Sequence, residues 1–382
     1  MTGPADIILS TERMRTIEAV DPIQRTAIVQ SGVVLQALHE AVEAQDLFFP
    51  LDLGARGTCT LGGMASTNAG GNRVLRYGMM RDMILGMEVV LADGTVVSSM
   101  APFIKNNTGY DLKHLFIGAE GTLGVITRLV LRLREKPLAS QTALVALENF
   151  DAVAALLRHM DRSLGGALSS FEVMWRSYYE LVTPPPAKGR APLTGNHAFY
   201  VLLETQGNAR ERDAANFEEA LGIAMEEELV ADAVIARSDA ETRRLWAIRD
   251  DVEQLGRNGY PVGFDISLPI SQMQDYLSEV DSRLAGLNVA TWPYVFGHLG
   301  DGNLHVVVAV PREAAGLAKS QVEKAVYEPL QIRGGSISAE HGIGLDKRAW
   351  LPVSRSPAEL AVMRAIKRAL DPQNRINPGK LL

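Results

Sequence analysis

Apolar residues recur at helical spacing over 33–44, 150–160, 209–225, 239–255, 271–284 and 357–370, and each stretch predicts an amphipathic helix. Short runs rich in β-branched residues, at 7–10, 27–31, 87–92, 125–133, 143–147, 198–203 and 229–235, predict strands. Up to residue 137 the strands are separated by glycine-dense turns, whereas beyond it strands and helices alternate as in an α+β layer. The stretch 183–190, which contains Pro184-Pro185-Pro186, interrupts that alternation as an exposed loop. The last predicted helix carries Lys367 and Arg368 near its C-terminal end, and the tail after it is rich in the Asn, Pro and Gly of structured turns. The pattern divides the chain into 1–137, 138–330 and 331–382.

Composition narrows the class. The 382 residues are 47% hydrophobic and 22% charged, which suits an ordinary globular protein with a large core. A net charge of −7 without a long basic run gives no electrostatic footprint for nucleic acid. No apolar run approaches the roughly 20 residues of a transmembrane helix. Residues 1–6 lack the basic and apolar regions of a secretory leader, and the lone Cys59 has no partner for an internal disulfide. Cytoplasm is therefore the default location, with peripheral attachment to a membrane and a homodimer left open. Cys59 reads as a buried, inert thiol.

The densest chemistry lies in Gly297-His298-Leu299-Gly300-Asp301-Gly302-Asn303-Leu304-His305 and in Ser338-Ala339-Glu340-His341-Gly342. The first segment reads as a β-hairpin whose turn is Leu299 to Asn303, placing His298 and His305 opposite each other on one face. Two imidazoles and one carboxylate make a three-ligand site that leaves room for substrate, and Glu340 is the expected third ligand. Zinc suits that set, with manganese or iron as alternatives. The same residues also satisfy a plain hairpin in which the histidines only flank a good turn.

Three glycine-dense segments lie in the first region: Leu61 to Asn72, Arg76-Tyr77-Gly78, and Ile117 to Thr127. Glycine lets backbone approach a ligand closely, and successive free N–H groups form a concave site for phosphate or carbonyl oxygens. The Rossmann and Walker patterns are both absent, so these runs are either a cofactor cradle of another kind or loop chemistry.

Taken together, these segments resemble one family. The matching residues are Phe49-Pro50-Leu51-Asp52, Gly62 to Gly71, Arg76-Tyr77-Gly78, Val90-Leu91-Ala92-Asp93-Gly94, Lys105 to Leu112, Gly118 to Thr127, Asp265-Ile266-Ser267-Leu268-Pro269, the histidine hairpin, Glu340-His341-Gly342 and Asn377-Pro378-Gly379-Lys380. In that order they resemble the FAD-dependent 2-hydroxy-acid dehydrogenases of the vanillyl-alcohol oxidase and p-cresol methylhydroxylase superfamily. The nearest branch holds D-lactate and D-2-hydroxyglutarate dehydrogenases and the glycolate oxidase catalytic subunit.

The resemblance implies an α+β protein: a p-cresol-methylhydroxylase-type FAD-binding domain, a ferredoxin-like cap or substrate domain, and a C-terminal helical segment returning to the flavin. Members usually begin with a further subdomain carrying a glycine-rich pyrophosphate loop, so the FAD domain is expected to be N-terminally incomplete here. A late start, a fragment, or a short form of impaired flavin affinity would each account for that. Gly62, Gly63, Thr67, Asn68, Gly70 and Gly71 would line the pyrophosphate and isoalloxazine, and Pro50, Asp52, Tyr77 and Gly78 would belong to the same cofactor site. Glu120, Gly121, Gly124 and Ile126 would hold the ribityl and adenine end through backbone groups, and Asn377 would reach the flavin ring.

In the implied reaction a D-2-hydroxy acid gives up hydride to FAD and becomes a 2-oxo acid. The ion on His298, His305 and Glu340 would orient the substrate oxygens, and His341 would accept the hydroxyl proton. An extended backbone at Glu340-His341 would send the two side chains to opposite sides. Arg249 is the candidate clamp for the substrate carboxylate; the alternative is a pair with Asp250, Asp251 or Glu253 on its own helix. Asp265 reads as support behind the site, and Trp175, Tyr178 and Tyr179 as cap core. Dicarboxylate-using members carry Lys and Asn where this chain has Gly263 and Val307, which favours D-lactate over D-2-hydroxyglutarate. No cysteine cluster is present, so electrons leave to an external acceptor such as a quinone, a cytochrome or an electron-transfer flavoprotein. Three other readings stay open: a metal-free oxidase using dioxygen, a flavin-poor non-catalytic subunit of a glycolate-oxidase-like complex, and flavin-free metal-dependent hydrolysis.

Overall fold

The computed structural model describes residues 7–382; residues 1–6, read above for the lack of a leader, lie outside the described residues. The first part holds β1 (Ile17–Asp21), β2 (Thr26–Gln30), β3 (Leu47–Phe48), β4 (Ile84–Val90), β5 (Val96–Ser99), β6 (Val125–Arg132) and β7 (Arg134–Glu135). Five of these form an antiparallel sheet in the order β1-β2-β6-β4-β5, while β3 and β7 pair separately. Helices Leu35–Glu43 and Leu61–Thr67 share a core with that sheet through Leu38, Leu61 and Met64 against Val29, Leu129 and Leu131.

The second part holds β8 (Ala139–Leu147), β9 (Leu168–Trp175), β10 (Phe199–Gly207), β11 (Asp232–Ile235), β12 (Tyr260–Ser267), β13 (Trp292–His298) and β14 (Asn303–Val310). They make one antiparallel sheet in the order β11-β8-β10-β9-β13-β14-β12. The first four strands, with helices Phe150–Leu164 and Arg210–Glu226, trace a βαββαβ unit of ferredoxin-like order. Helices Met273–Ala285 and Ala315–Gln331 complete a second βαββα unit with β12, β13 and β14, and Ser336 bridges to Ser267 where its fourth strand would lie. The two units join through their second strands, β9 and β13, so a seam runs down the middle of the sheet.

Both faces of the sheet are covered, which is why its inner strands are apolar on both sides. The four long helices cover one face, over Phe171, Val201 and Val306. Helices Arg176–Val182 and Asp239–Asp250 cover part of the other, over Met174, Leu202 and Phe296. Local signals set the helix ends. Asn149 accepts the Ala152 amide at the start of Phe150–Leu164, and Gly165 closes it with φ +56°. Pro357–Leu370 starts with a Ser356–Glu359 capping box.

Several expectations need correction. Residues 7–10 form no strand, since nothing pairs with them, and the helix expected over 239–255 breaks at Asp251, whose carboxylate turns to the Lys188 amide. The strand expected over 229–235 shortens to β11, because Leu229 and Val230 instead close the end of Arg210–Glu226 through Ala224. Gly62, Gly63 and Thr67, read as a glycine-rich loop, lie in helix Leu61–Thr67, capped by Thr60.

Candidate active site

The histidine hairpin sits on the seam. Strand β13 ends at His298, Leu299–Asp301 turns back, Gly302 takes φ +82°, and the Asp301 carboxylate accepts the Asn303 amide at 3.1 Å. Glycine is required at that left-handed position. His305 lies opposite Phe296 rather than opposite His298, because the turn uses His298 as its first corner. The two rings still share a face, with centroids 5.4 Å apart and planes 79° apart. Glu340 completes the group: one ligand atom from each of His298, His305 and Glu340 lies within 4.8 Å of the others.

Two buried carboxylates flank the histidines, one on each side. Glu172 on β9 is the register partner of His298 across the seam, and its Oε1 accepts from His298 Nδ1 at 2.6 Å. Its Oε2 accepts from Arg249 Nε at 2.7 Å. Asp265 on β12 is the register partner of His305 and accepts the backbone amides of both Glu340 and His341 at 2.9 Å. Asn303 also donates to it at 2.9 Å. With both amides aimed at one carboxylate, Glu340-His341 is an irregular turn and not the extended pair expected from the sequence. The His341 ring lies 6.2 Å from that of His305, with Nδ1 3.7 Å from Asp265, and is largely exposed.

Arg249 is buried, and its main partner is Glu172, a residue 77 positions away, with Asp250 only at 4.0 Å. Its guanidinium lies over the Phe296 ring, 4.9 Å from the centroid, and Nη2 stands 3.4 Å from His298 Nε2. The clamp candidate thus borders the ligand group with one edge while the other is committed to Glu172. Trp175 packs with Phe150 and Phe199, and Tyr178 stacks on Phe296 and donates to the Arg249 carbonyl.

The electrostatics suit a cation. Burial, reinforced by Arg249 and His298, pushes the His305 imidazole down to about 3, so it stays neutral and keeps a lone pair. Burial raises the Glu340 carboxyl. Burial would lower His298, but the Glu172 charge outweighs it and raises the group. For Asp265 burial is outweighed by His341 and the Glu340 amide, and its carboxyl is held below the usual range. A crowded pair of imidazoles with a costly buried carboxylate is the donor set that a zinc-like ion relieves.

The glycine segments divide by role. A Cβ on Gly62 would lie 2.5 Å from Ser31 Cβ, on Gly71 2.3 Å from the Asp52 carbonyl, and on Gly124 2.5 Å from Val89. These are close packing contacts. Gly63 gives its amide to Thr60, and the Thr67 hydroxyl donates to the Gly63 carbonyl. Ile126 pairs with Val89 inside the small sheet. Pro50 is buried, and Asp52 pairs with Arg56 at 3.2 Å. Asn68 caps its helix at φ +51° and accepts the Arg81 amide. Gly78 turns at φ +79°, and Tyr77 donates to Gln206 on β10, tying the small sheet to the large one.

Gly70 behaves differently: its Cβ would lie 2.7 Å from Glu340 Oε1, so this glycine abuts the ligand group. Gly70 and Gly71 are buried, and among the described residues their amides donate to no group of the chain. Such unpaired donors fit the oxygens of a flavin nucleotide. The Glu120 carboxylate accepts the amides of Ile343 (2.6 Å) and Gly344 (2.7 Å), Gly121 turns at φ +66°, and Asn377 donates to the Glu120 carbonyl at 2.8 Å. The tail therefore does return to the glycine turn at 120–121. Among the described residues no helix is long and apolar enough to cross a membrane.

The sequence reading missed Glu172, and it underestimated Asp265 as the anchor of the Glu340-His341 turn. A charged residue inside a strand-like run whose other polar members are two small serines, Leu168-Ser169-Ser170-Phe171-Glu172-Val173-Met174, was the available signal.

Comparison with known proteins agrees with this arrangement. The family described as FAD linked oxidases, C-terminal domain, matches residues 136–381, and an FAD binding domain matches residues 2–99. The mitochondrial D-2-hydroxyglutarate dehydrogenase of Danio rerio is 40% identical over 378 residues, covering 99% of this chain and 70% of that protein. The D-2-hydroxyglutarate dehydrogenase of Xanthomonas citri pv. viticola is 38% identical over 380 residues, covering 98% and 79%. Substrate-bound p-cresol methylhydroxylase superposes with TM-score 0.73 at 15% identity, over 97% of this chain and 78% of that one. Alkyldihydroxyacetonephosphate synthase does so with TM-score 0.70 at 18% identity, over 96% and 66%. The fold is thus that of the p-cresol methylhydroxylase group, and the chain belongs to the FAD-linked oxidases.

Proposed function

We propose that this chain is an FAD-dependent dehydrogenase of D-2-hydroxy acids, with a divalent ion held by His298, His305 and Glu340. The observation that carries the reading is the convergence of those three side chains with buried Gly70, where a Cβ would lie 2.7 Å from Glu340 Oε1. Bound FAD would supply the hydride acceptor. A bound ion would supply a Lewis acid for the substrate hydroxyl and carboxylate oxygens.

The chain's own groups do the rest. His305 stays neutral and His298 keeps Nδ1 on Glu172, so each offers one ring nitrogen to the ion. His341, beside Asp265 and open on its outer side, takes the hydroxyl proton at a ring nitrogen. The outer edge of Arg249 meets the substrate carboxylate. Electrons then leave to an external acceptor, for which a quinone, a cytochrome or an electron-transfer flavoprotein is the expected class.

Two observations bear on the substrate within this class. Gly263 and Val307 face each other across β12 and β14, two residues along from the Asp265–His305 pair and on the same face. Neither offers a polar group to a second carboxylate, which supports a monocarboxylate such as D-lactate. The names of the relatives from Danio rerio and Xanthomonas citri support D-2-hydroxyglutarate instead. The test is anaerobic flavin bleaching of the purified protein by D-lactate, L-lactate and D-2-hydroxyglutarate, with and without a chelator. Bleaching by a D-acid, abolished when the protein is first treated with the chelator and restored by zinc, is expected. Bleaching that ignores the chelator, with peroxide formed in air, supports a metal-free oxidase. A chain without flavin supports the non-catalytic subunit, and faster bleaching by D-2-hydroxyglutarate than by D-lactate overturns the monocarboxylate preference.

A further inference from the structure

Glu172 lies outside every motif used above, yet it is 1% exposed and each of its oxygens has one short hydrogen-bond partner, His298 Nδ1 on one and Arg249 Nε on the other. Burying a carboxylate is costly unless it is paired and hydrogen-bonded. Here the two partners come from opposite sides of the seam: His298 from β13 of the second unit, and Arg249 from helix Asp239–Asp250 of the first. Neither unit alone contains the triad.

We propose that Glu172 is the positioning residue that locks His298 in the tautomer presenting Nε2 to a bound ion, with Arg249 bracing the other carboxylate oxygen. The inference rests on the metal reading of His298, His305 and Glu340 given above. The short Nδ1 contact at 2.6 Å puts the ring proton on Nδ1, because a carboxylate can only accept. Nε2 then carries the lone pair, and the Arg249 Nη2 donor at 3.4 Å is consistent with an acceptor there. A carboxylate behind a ligating histidine fixes its ring and raises its basicity. Asp265 plays no such part for His305: it spends its bonds on the Asn303 side chain and the amides of Glu340 and His341. The site is therefore asymmetric, with one histidine locked and the other free to adapt.

The test uses the full-length protein and zinc as probe. Long-range nitrogen–proton NMR of histidine-labelled, metal-free protein, with His298 assigned from His298→Asn, reads the tautomer directly. The expected wild-type signal, read at a pH where the ring is neutral, is an imidazole protonated at Nδ1, and Glu172→Gln shifts that pattern because the amide donates as well as accepts. Zinc affinity, read by competition with a chelator, falls roughly 10- to 100-fold in Glu172→Gln. Glu172→Asp restores part of it, and the d–d spectrum of the cobalt-loaded protein changes in Glu172→Gln. Because Glu172→Gln removes the main partner of Arg249, Glu172→Gln/Arg249→Met is measured beside it, and circular dichroism confirms the fold of whichever variant is scored. A folded variant that binds zinc as tightly as wild type, or a wild-type His298 protonated only at Nε2, overturns the positioning role. Wild-type protein that binds no zinc overturns the metal reading, and the inference falls with it.

Discussion

The glycine run at 62–71 and the histidine seam lie against each other, but residue type reports differently on the two. On the seam strand register sets a carboxylate opposite each histidine, Glu172 opposite His298 and Asp265 opposite His305, and each carboxylate is committed to named partners. In the run, glycines a few residues apart do unrelated things. Gly62 lets a helix approach Ser31, Gly71 makes room for the Asp52 carbonyl, and Gly70 makes room for Glu340. An imidazole or a carboxylate is costly to bury without a partner, so its presence in a core already signals a site. A missing side chain costs little to bury and signals only that something is close.

The largest effect that could break this contrast is expected at His305, the neutral histidine without a carboxylate behind it. On the proposed reading, His305→Ala removes one of the three ligands. Loss of Lewis-acid assistance worth about 4 kcal/mol lowers turnover roughly a thousandfold. Zinc retention should vanish while bound flavin stays. Measured turnover within a few fold of wild type, with zinc gone, would mean that the seam is only a well-packed hairpin.

Next come two glycines from one run with opposite outcomes. Gly62→Ala drives a methyl to 2.5 Å from Ser31 Cβ and 3.0 Å from its carbonyl, in a place where backbone must move. Overpacking of that kind costs roughly 1–3 kcal/mol, read from denaturant unfolding, with zinc affinity unchanged in the folded protein. Gly70→Ala instead pushes the Glu340 carboxylate, a side-chain end that can yield. Stability should then stay within about 1 kcal/mol while zinc affinity falls about tenfold, as when a ligand loses its support. If the two variants behave alike, the run has a single role and the division drawn here fails.

The same asymmetry sets how far the sequence could be read. His298 and His305 flank a polar turn and Glu340 and His341 lie in an irregular one, where their types stand out, and the structure brings the first three together. Glu172 stands in β9, buried on both faces, so no alternation marks the strand and a single carboxylate reads as an irregularity. Arg249 was weighed against neighbours on its own helix, because local spacing is visible in a sequence and a partner across the sheet is not. Helix Ala315–Gln331 escaped notice through its Pro329 and its weakly amphipathic pattern. Helix Leu61–Thr67 was read as a loop because two glycines sit in its first turn; a helix packed this tightly on Ser31 needs at least one of them.

The smallest expected effect falls on a glycine that belongs to the seam and not to the run. Gly263 faces Val307 beside the Asp265–His305 pair, and a Cβ there would meet nothing within 4 Å. It is a strand residue outside the left-handed region, so Gly263→Ala should gain about 0.5–1 kcal/mol by restricting the unfolded chain. Zinc binding should not change. The informative quantity is KM across D-2-hydroxy acids of increasing chain length. If the substrate side chain lies against Gly263, the added methyl leaves D-lactate unaffected and raises KM progressively for longer acids. A uniform rise, or none at any length, would place the substrate chain elsewhere and remove Gly263–Val307 as the basis for preferring a monocarboxylate.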